Sequence, residues 1–261
     1  MDIEPRIDPL AQAFSAVADG YELGRPPYPP EPIDWAWQRL GLGDAATVID
    51  LAAGTGKVSR MLAPRAARLI AVEPLPEMRR VLTAQVPQAE QVDGTAERIP
   101  LPDATANAVF VGEAFHWFDG DRALPEIHRV LRSGGGLVML FGDGDWDDLP
   151  WNAELRARLD QVSRPGVRPE NRPWTGLWQK AFERSPLFDP LERAEFPFVR
   201  RFTVDGFVRL VTTWSFVAAL GDDERDPLLA DVARMIRSHG VEQFDVPSRV
   251  DAHLTRSRAQ D

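Results

Sequence analysis

Two acids and two glycines carry the strongest chemical signal in this sequence. The run Val48-Ile49-Asp50-Leu51-Ala52-Ala53-Gly54-Thr55-Gly56 reads as a buried strand passing through a glycine turn into a helix. Gly54 and Gly56 permit the tight turn and let a ligand approach the backbone. The spacing Gly54-x-Gly56-x-x-Ser59 is a near-match to the dinucleotide fingerprint, and by itself it also suits a purely structural turn. Asp50 discriminates between ligands. A pyrophosphate at the helix amino terminus needs backbone donors and is repelled by a carboxylate, whereas a ligand bearing cationic groups is attracted to one. Glu73 closes the next strand, 17 residues beyond Gly56, where an acid accepts hydrogen bonds from both ribose hydroxyls. Together these residues describe a pocket for a nucleoside whose other end is cationic.

The elements that must position them follow from periodicity. Short apolar runs predict strands at 48–51, 69–72, 89–92, 108–111 and 137–141. Helical spacing predicts helices at 58–62, 77–84 and 121–131, the last with Ala123, Leu124, Ile127, Val130 and Leu131 on one face. Regular alternation of β and α implies right-handed crossovers and a Rossmann-like, doubly wound, mostly parallel α/β sheet. Its ligand belongs outside the carboxyl ends of the strands. Upstream, Leu10, Phe14, Val17 and Ala18 predict an amphipathic helix over 8–18, broken by Pro26, Pro27, Pro29, Pro30 and Pro32. A second helix around Ile33, Trp35, Trp37 and Leu40 is stopped by Gly41 and Gly43. After Gly144 the rhythm ceases, and the proline-rich stretch 146–190, with Trp151, Trp174 and Trp178, reads as an insertion over the ligand face. A strand at 193–198, helices at 205–219 and 227–238 and a strand at 249–254 complete a seven-stranded sheet.

Composition narrows the function classes. With 261 residues, 44% apolar and 27% charged, the chain suits one α/β core with an appended or inserted cap. A net charge of −10 repels phosphate backbones, so nucleic acid is not an expected partner. The alternating charges Arg193, Glu195, Arg200, Arg201 and Asp205 read as a solvated face. The absence of cysteine excludes disulfides, thiolate metal sites and cysteine nucleophiles, and the four histidines show no metal-ligand spacing. No apolar run suits a signal peptide or a membrane span, so the expectation is a cytoplasmic protein, monomeric or homodimeric, without membrane contact.

A strand-end acid beside the glycine turn, with a second acid for the ribose, points to S-adenosylmethionine rather than a nicotinamide cofactor. Several spaced segments agree. Gly94-Thr95-Ala96-Glu97-Arg98-Ile99-Pro100-Leu101-Pro102-Asp103, Glu113-Ala114-Phe115-His116-Trp117-Phe118-Asp119 and Arg129-Val130-Leu131-Arg132-Ser133-Gly134-Gly135-Gly136 occur in that order. Tyr21-x-x-x-Arg25-Pro26-x-Tyr28-Pro29 precedes them. The sequence thereby resembles the class I S-adenosylmethionine-dependent methyltransferases, in particular the type-11 small-molecule group that includes trans-aconitate methyltransferase. The resemblance is close over residues 14–142 and looser at Thr213-Trp214-Ser215.

The resemblance implies that Asp50, Ala52, Gly54 and Gly56 hold the methionyl end, that Glu73 and Pro74 border the ribose, and that Thr95, Ala96 and Glu97 border adenine. It implies that Glu113 offers its carbonyl or its carboxylate to the ammonium, and that Tyr21 and Arg25 close over the cofactor. Residues 1–45 then form lid helices, 46–144 the cofactor-binding core, 145–190 a mainly helical cap after the fifth strand, and 191–261 the completion of the sheet. Ala52 stands where the group usually has glycine, Thr95 where it has aspartate, Asn107 where it has an acid and Glu113 where it has glutamine. Ala52 is expected to tolerate its methyl in a β-region backbone.

The implied chemistry is in-line methyl transfer to a small acceptor, at a hydroxyl or carboxylate oxygen, with no metal. His116 is the candidate base for a hydroxyl, and a carboxylate needs an arginine in the cap instead. Tyr28, His116, Trp117, Trp174 and Trp178 are candidate substrate-binding residues. A cofactor-binding protein without transfer chemistry and a nicotinamide-dependent reductase are the competing readings.

Overall fold

The computed structural model describes residues 9–162 and 175–259; Trp174 lies outside them. Its strands are β1 (Thr47–Leu51), β2 (Arg68–Val72), β3 (Glu90–Val92), β4 (Ala106–Gly112), β5 (Leu131–Gly144), β6 (Glu192–Thr203) and β7 (Gln243–Arg256). They form one sheet in the order β3-β2-β1-β4-β5-β7-β6. The β1, β2, β3, β4 and β5 pairs are parallel, whereas β7 is antiparallel to both of its neighbours, β5 and β6.

Before β1 come α1 (Pro9–Gln12), a 3-10 turn (Ala13–Val17), α2 (Ala18–Gly24) and α3 (Glu31–Leu40). Within the core lie α4 (Lys57–Leu62), α5 (Pro76–Gln85) and α6 (Gly120–Val130); α7 (Asn152–Val162) and α8 (Lys180–Arg184) follow β5. Between β6 and β7 stand α9 (Val204–Thr212), α10 (Ser215–Ala218) and α11 (Asp222–Ser238).

β1 is buried at every position, as a strand covered on both faces must be. The side-chain period of two divides the apolar runs between the layers. Ile49, Leu51, Ile70, Val72, Val109 and Val111 pack with Leu124 and Ile127 of α6. Val48, Leu69, Ala71, Ala108 and Phe110 pack with Ile33, Leu62 and Leu82 from α3, α4 and α5. Pro76 in the first turn of α5 uses a position where no N–H is needed. Asn107 links strands at the sheet floor, its Oδ1 accepting from the Thr47 N–H at 3.0 Å and from Arg132 at 3.1 Å.

Two sequence expectations change. The predicted helix over 8–18 is, from residue 9, two short α-helices joined by a 3-10 turn, and it runs on to Gly24. It ends just before the prolines from 26 onward that are expected to break it. The segment after β5 does not cover the ligand face in its described part. Trp151 is fully buried with Leu155, Phe207, Val232 and Val246 in a separate cluster between α7, α9, α11 and the far ends of β6 and β7.

What does reach over the strand ends is the amino-terminal segment. α2 packs on α9 so closely that a Cβ at buried Gly24 would collide with the Arg209 carbonyl and meet Thr213 Cγ2 at 3.0 Å. Gly24→Ala should therefore cost about 1–3 kcal/mol of overpacking, roughly 2–4 °C of melting temperature per kcal/mol in a chain of this size. Hydrogen exchange should accelerate in residues 18–25 and stay unchanged in β1 and β4. Unaltered exchange in that helix would show that α2 does not depend on this contact.

Candidate active site

The turn from β1 into α4 is built from left-handed residues: Ala52 (φ +57°), Gly54 (φ +56°) and Gly56 (φ +87°). Ala52 thus departs from its expected β-region backbone. An L-residue in that conformation costs about 1–2 kcal/mol, and the tightness of the turn between β1 and Gly54 imposes it. A Cβ at Gly54 would meet nothing within 4 Å, whereas one at Gly56 would fall 2.5 Å from Leu82 Cδ1 and 3.0 Å from Val86 Cγ2. Gly54 therefore leaves open space, and Gly56 permits close packing on α5.

Glu73, only 4% exposed, ties this turn to the one after β2. Its Oε2 accepts the Gly54 N–H and its Oε1 the Leu75 N–H, each at 2.9 Å. Burial pushes its pKa up against those two hydrogen bonds. Asp50 is 1% exposed and accepts the Ser59 hydroxyl at 2.5 Å. Burial raises it to about 7, the Ser59 hydrogen bond opposing. Glu113, just beyond β4, is itself left-handed (φ +55°). Its Oε1 accepts from Tyr28 Oη at 3.1 Å and from the Gly142 N–H at 2.6 Å. Burial raises its pKa too, with Arg25 the largest opposing influence.

Two adjoining cavities meet over these residues. The first has Ala52, Gly54, Glu73 and Pro74 on one wall and Thr95, Ala96 and Glu97 on another. Glu113 and Trp117 stand opposite, under a roof containing Ala11, Phe14 and Tyr21. The second is lined by Asp50 of β1, Thr55 of the glycine turn and Lys57 of α4, by Tyr21, Arg25 and Tyr28 from the amino-terminal segment, and by Arg200 from β6. Tyr21, Ala52, Gly54, Gly112 and Glu113 border both.

The roof is pinned on two sides. Glu22 accepts from the Thr55 hydroxyl at 2.7 Å and pairs with Lys57 at 3.3 Å and Arg60 at 2.9 Å. Arg25 Nε donates to Thr213 Oγ1 at 2.9 Å, and its guanidinium lies 5.4 Å from the Tyr21 ring centre. Phe14 packs edge-on to Tyr21 and to Trp117.

Gly56 lines neither cavity, and neither does His116 or Trp178. Trp178 is 3% exposed among Phe115, Phe141, Phe182 and His253, a core position rather than the expected substrate wall. His116 is 9% exposed beside Trp117 and Phe141, and burial lowers its pKa to about 3. An efficient general base has a pKa near the working pH, so the geometry fits a supporting core histidine better than the expected proton acceptor. Sequence reading missed Arg200. It was assigned to a solvated face with Arg201, yet its neighbours Phe196, Phe198 and Phe202 share its side of β6, while Arg201 points outward to Asp245. The phase of the alternation along β6 is the signal that separates the two arginines.

These walls fit a cationic nucleoside. Glu73 stands beside the open space at Gly54, Thr95 Oγ1 is buried in the adjoining wall with no hydrogen-bond partner among the described residues, and Asp50 and Glu113 supply carboxylates at the other end. Such a site on a 3-2-1-4-5-7-6 sheet is the arrangement that the resemblance to the class I methyltransferases implies. A methyltransferase domain family matches residues 49–139. An uncharacterized methyltransferase of Schizosaccharomyces pombe is 30% identical over 243 residues, covering 90% of this chain and 93% of that one. One from Mycobacterium tuberculosis is 46% identical over 146 residues, 56% of this chain and 58% of its own length. The chain belongs to the S-adenosylmethionine-dependent methyltransferase family. Among solved structures, a type II methyltransferase assignment from Anaeromyxobacter dehalogenans matches with a TM-score of 0.61 at 24% identity, covering 90% of this chain and 97% of that one. The [4+2]-cyclase SpnF matches at 0.57 and 15%, covering 100% and 99%. Both show the fold alone. Among the described residues no helix is long and apolar enough to cross a membrane.

Asp50 provides a pH test. Its folded pKa of about 7 exceeds the unfolded value of about 3.9. Its contribution to folding is therefore fully present below that unfolded value and lost as pH rises through 7. A bound cation favours the carboxylate, so binding at pH 7 should release a fraction of a proton. Calorimetric enthalpies of S-adenosylhomocysteine binding should then differ between phosphate and Tris buffers in the wild type and coincide in Asp50→Asn. Identical wild-type enthalpies would place the proton elsewhere.

Proposed function

We propose that this protein transfers the methyl group of S-adenosylmethionine to an oxygen, hydroxyl or carboxylate, of a small-molecule acceptor. The observation that carries this reading is the pair of joined cavities, one walled for a nucleoside and one lined by opposed charges, meeting at Ala52, Gly54 and Glu113. Bound there, S-adenosylmethionine supplies a methyl group already activated by its sulfonium. Glu73 holds the ribose, Thr95, Ala96 and Glu97 border the base, Asp50 and Glu113 face the cationic end, and Arg25 faces the cofactor's carboxylate. The roof of Phe14 and Tyr21 excludes water, and the chain's remaining task is to align the acceptor.

Two outcomes test this. Labelled methyl from S-adenosylmethionine should appear in product when acids, phenols, alcohols and amines are offered; binding without transfer to any of them would favour a non-transferring binding protein. Glu73→Gln should weaken calorimetric binding of S-adenosylhomocysteine by roughly tenfold to a hundredfold, the loss of one charged hydrogen bond.

His116 gives a second, independent check. If it is a core histidine, His116→Ala should lower the melting temperature and leave the turnover of the folded enzyme within about threefold, because proton transfer by a true base is typically worth about 10² or more. A stable variant with turnover reduced a hundredfold would restore the base.

A further inference from the structure

We propose that Arg200 is the recognition group for an anionic, carboxylate-bearing acceptor, which it holds in the second cavity; this rests on the methyltransferase reading above. β6 brings Arg200 from the far edge of the sheet onto the ends of β4 and β5. Its position is inward, on the face of β6 that otherwise carries Phe196, Phe198 and Phe202, and its guanidinium lies 4.9 Å from the Phe198 ring centre. Its Nε is buried with no hydrogen-bond partner among the described residues. Buried guanidinium groups are normally fully engaged.

The other cations of this cavity already have partners. Lys57 is held by the Glu22 carboxylate and donates to its carbonyl at 2.9 Å. Arg25 donates to Thr213 Oγ1 at 2.9 Å and lines the same cavity as the glycine-turn residues Gly54 and Thr55, the lid cation assigned above to the cofactor's carboxylate. Space for Arg200 is reserved at Gly142, where a Cβ would fall 2.9 Å from Arg200 Nη2 and 3.0 Å from Glu113 Oε1.

Sheet order separates the roles. Walls for the nucleoside come from the ends of β1, β2 and β3, so the transferable methyl faces the side of β4 and β5. There Glu113, Gly142 and Arg200 stand together. With Asp50 and Glu113 opposite the cofactor's two cations and Arg25 opposite its carboxylate, Arg200 is the cation left for the acceptor. A carboxylate oxygen attacks the methyl carbon with its lone pair, the carbon–sulfur bond breaks, and its electron pair remains on sulfur. The products are a methyl ester and S-adenosylhomocysteine, no proton is released, and no base is required. That agrees with a cavity lining that contains no histidine among the described residues.

The experiment offers acetate, benzoate, citrate and straight-chain dicarboxylates of four to ten carbons, with the matching alcohols, to wild type, Arg200→Gln, Arg200→Lys and the surface control Arg201→Gln. Labelled transfer should occur to at least one acid and to no alcohol. For that acid, KM should rise tenfold to a hundredfold in Arg200→Gln, recover partly in Arg200→Lys and stay constant in Arg201→Gln. Calorimetry of the same acid on the S-adenosylhomocysteine complex should show the same loss, while S-adenosylhomocysteine itself binds all four proteins within about threefold. A parallel fall in S-adenosylhomocysteine affinity would make Arg200 a cofactor residue and overturn the proposal. Transfer only to alcohols, phenols or amines would overturn it while leaving the methyltransferase reading intact, and absence of any S-adenosylhomocysteine binding would sink both.

Discussion

Three carboxylates at the ends of adjacent strands, Asp50 and Glu73 buried and Glu113 half-buried, are the constraint around which this protein is organised. Asp50 is the penultimate residue of β1, Glu73 and Glu113 directly follow β2 and β4, and burial raises the pKa of each. An unpaired buried charge is costly, and such groups persist where hydrogen bonds and a ligand compensate them. Here the compensation is local and specific. Ser59 serves Asp50, two main-chain amides serve Glu73, and Tyr28 with the Gly142 amide serves Glu113. Each donor depends on a turn at the carboxyl edge of the sheet, so sheet order, turn conformation and ligand charge form one problem. The left-handed backbones of Ala52 and Glu113 lie at that edge, where strain is commonly retained for function.

The amino-terminal segment answers the same constraint from above. It brings Tyr28 onto Glu113 and places Tyr21 and Arg25 in the cavity that Asp50 and Glu113 also line. Its attachments are divided between the glycine turn, through Glu22, and the carboxy-terminal half, through Thr213. The segment that roofs the first cavity is therefore tethered to both halves of the chain.

Much of this was legible in the sequence because the signals are local. β1, β2, β4 and the helices between them are continuous apolar runs or helical stripes, and they lie where periodicity puts them. Glu73 and Gly54 could be placed from spacing alone. The failures are of another kind. Whether Ala52 takes a left-handed backbone depends on how β1 meets α4, and a residue's type does not report that. Trp178 reads as a candidate pocket wall, but aromatic residues serve equally in cores, and only packing separates the two uses. Arg200 was hidden by Arg201. Adjacent identical charges read as one polar patch until the strand's pleat assigns them to opposite faces.

The long pairing of β6 with β7 fixes that pleat. Twelve residues run in unbroken register, with Arg200 opposite Val246 and Arg201 opposite Asp245. A slip of one residue would exchange the faces of β6, turning Phe196, Phe198 and Phe202 into water and Val199 or Arg201 inward. Single-residue insertions or deletions between positions 192 and 200 are therefore far more damaging than most substitutions there. The helical excursion from α9 to α11 hangs beyond the paired region and can change length without disturbing it. Divergence of related chains in this half should accordingly be carried by length variation in that excursion, while the spacing from the start of β6 to Arg200 stays constant.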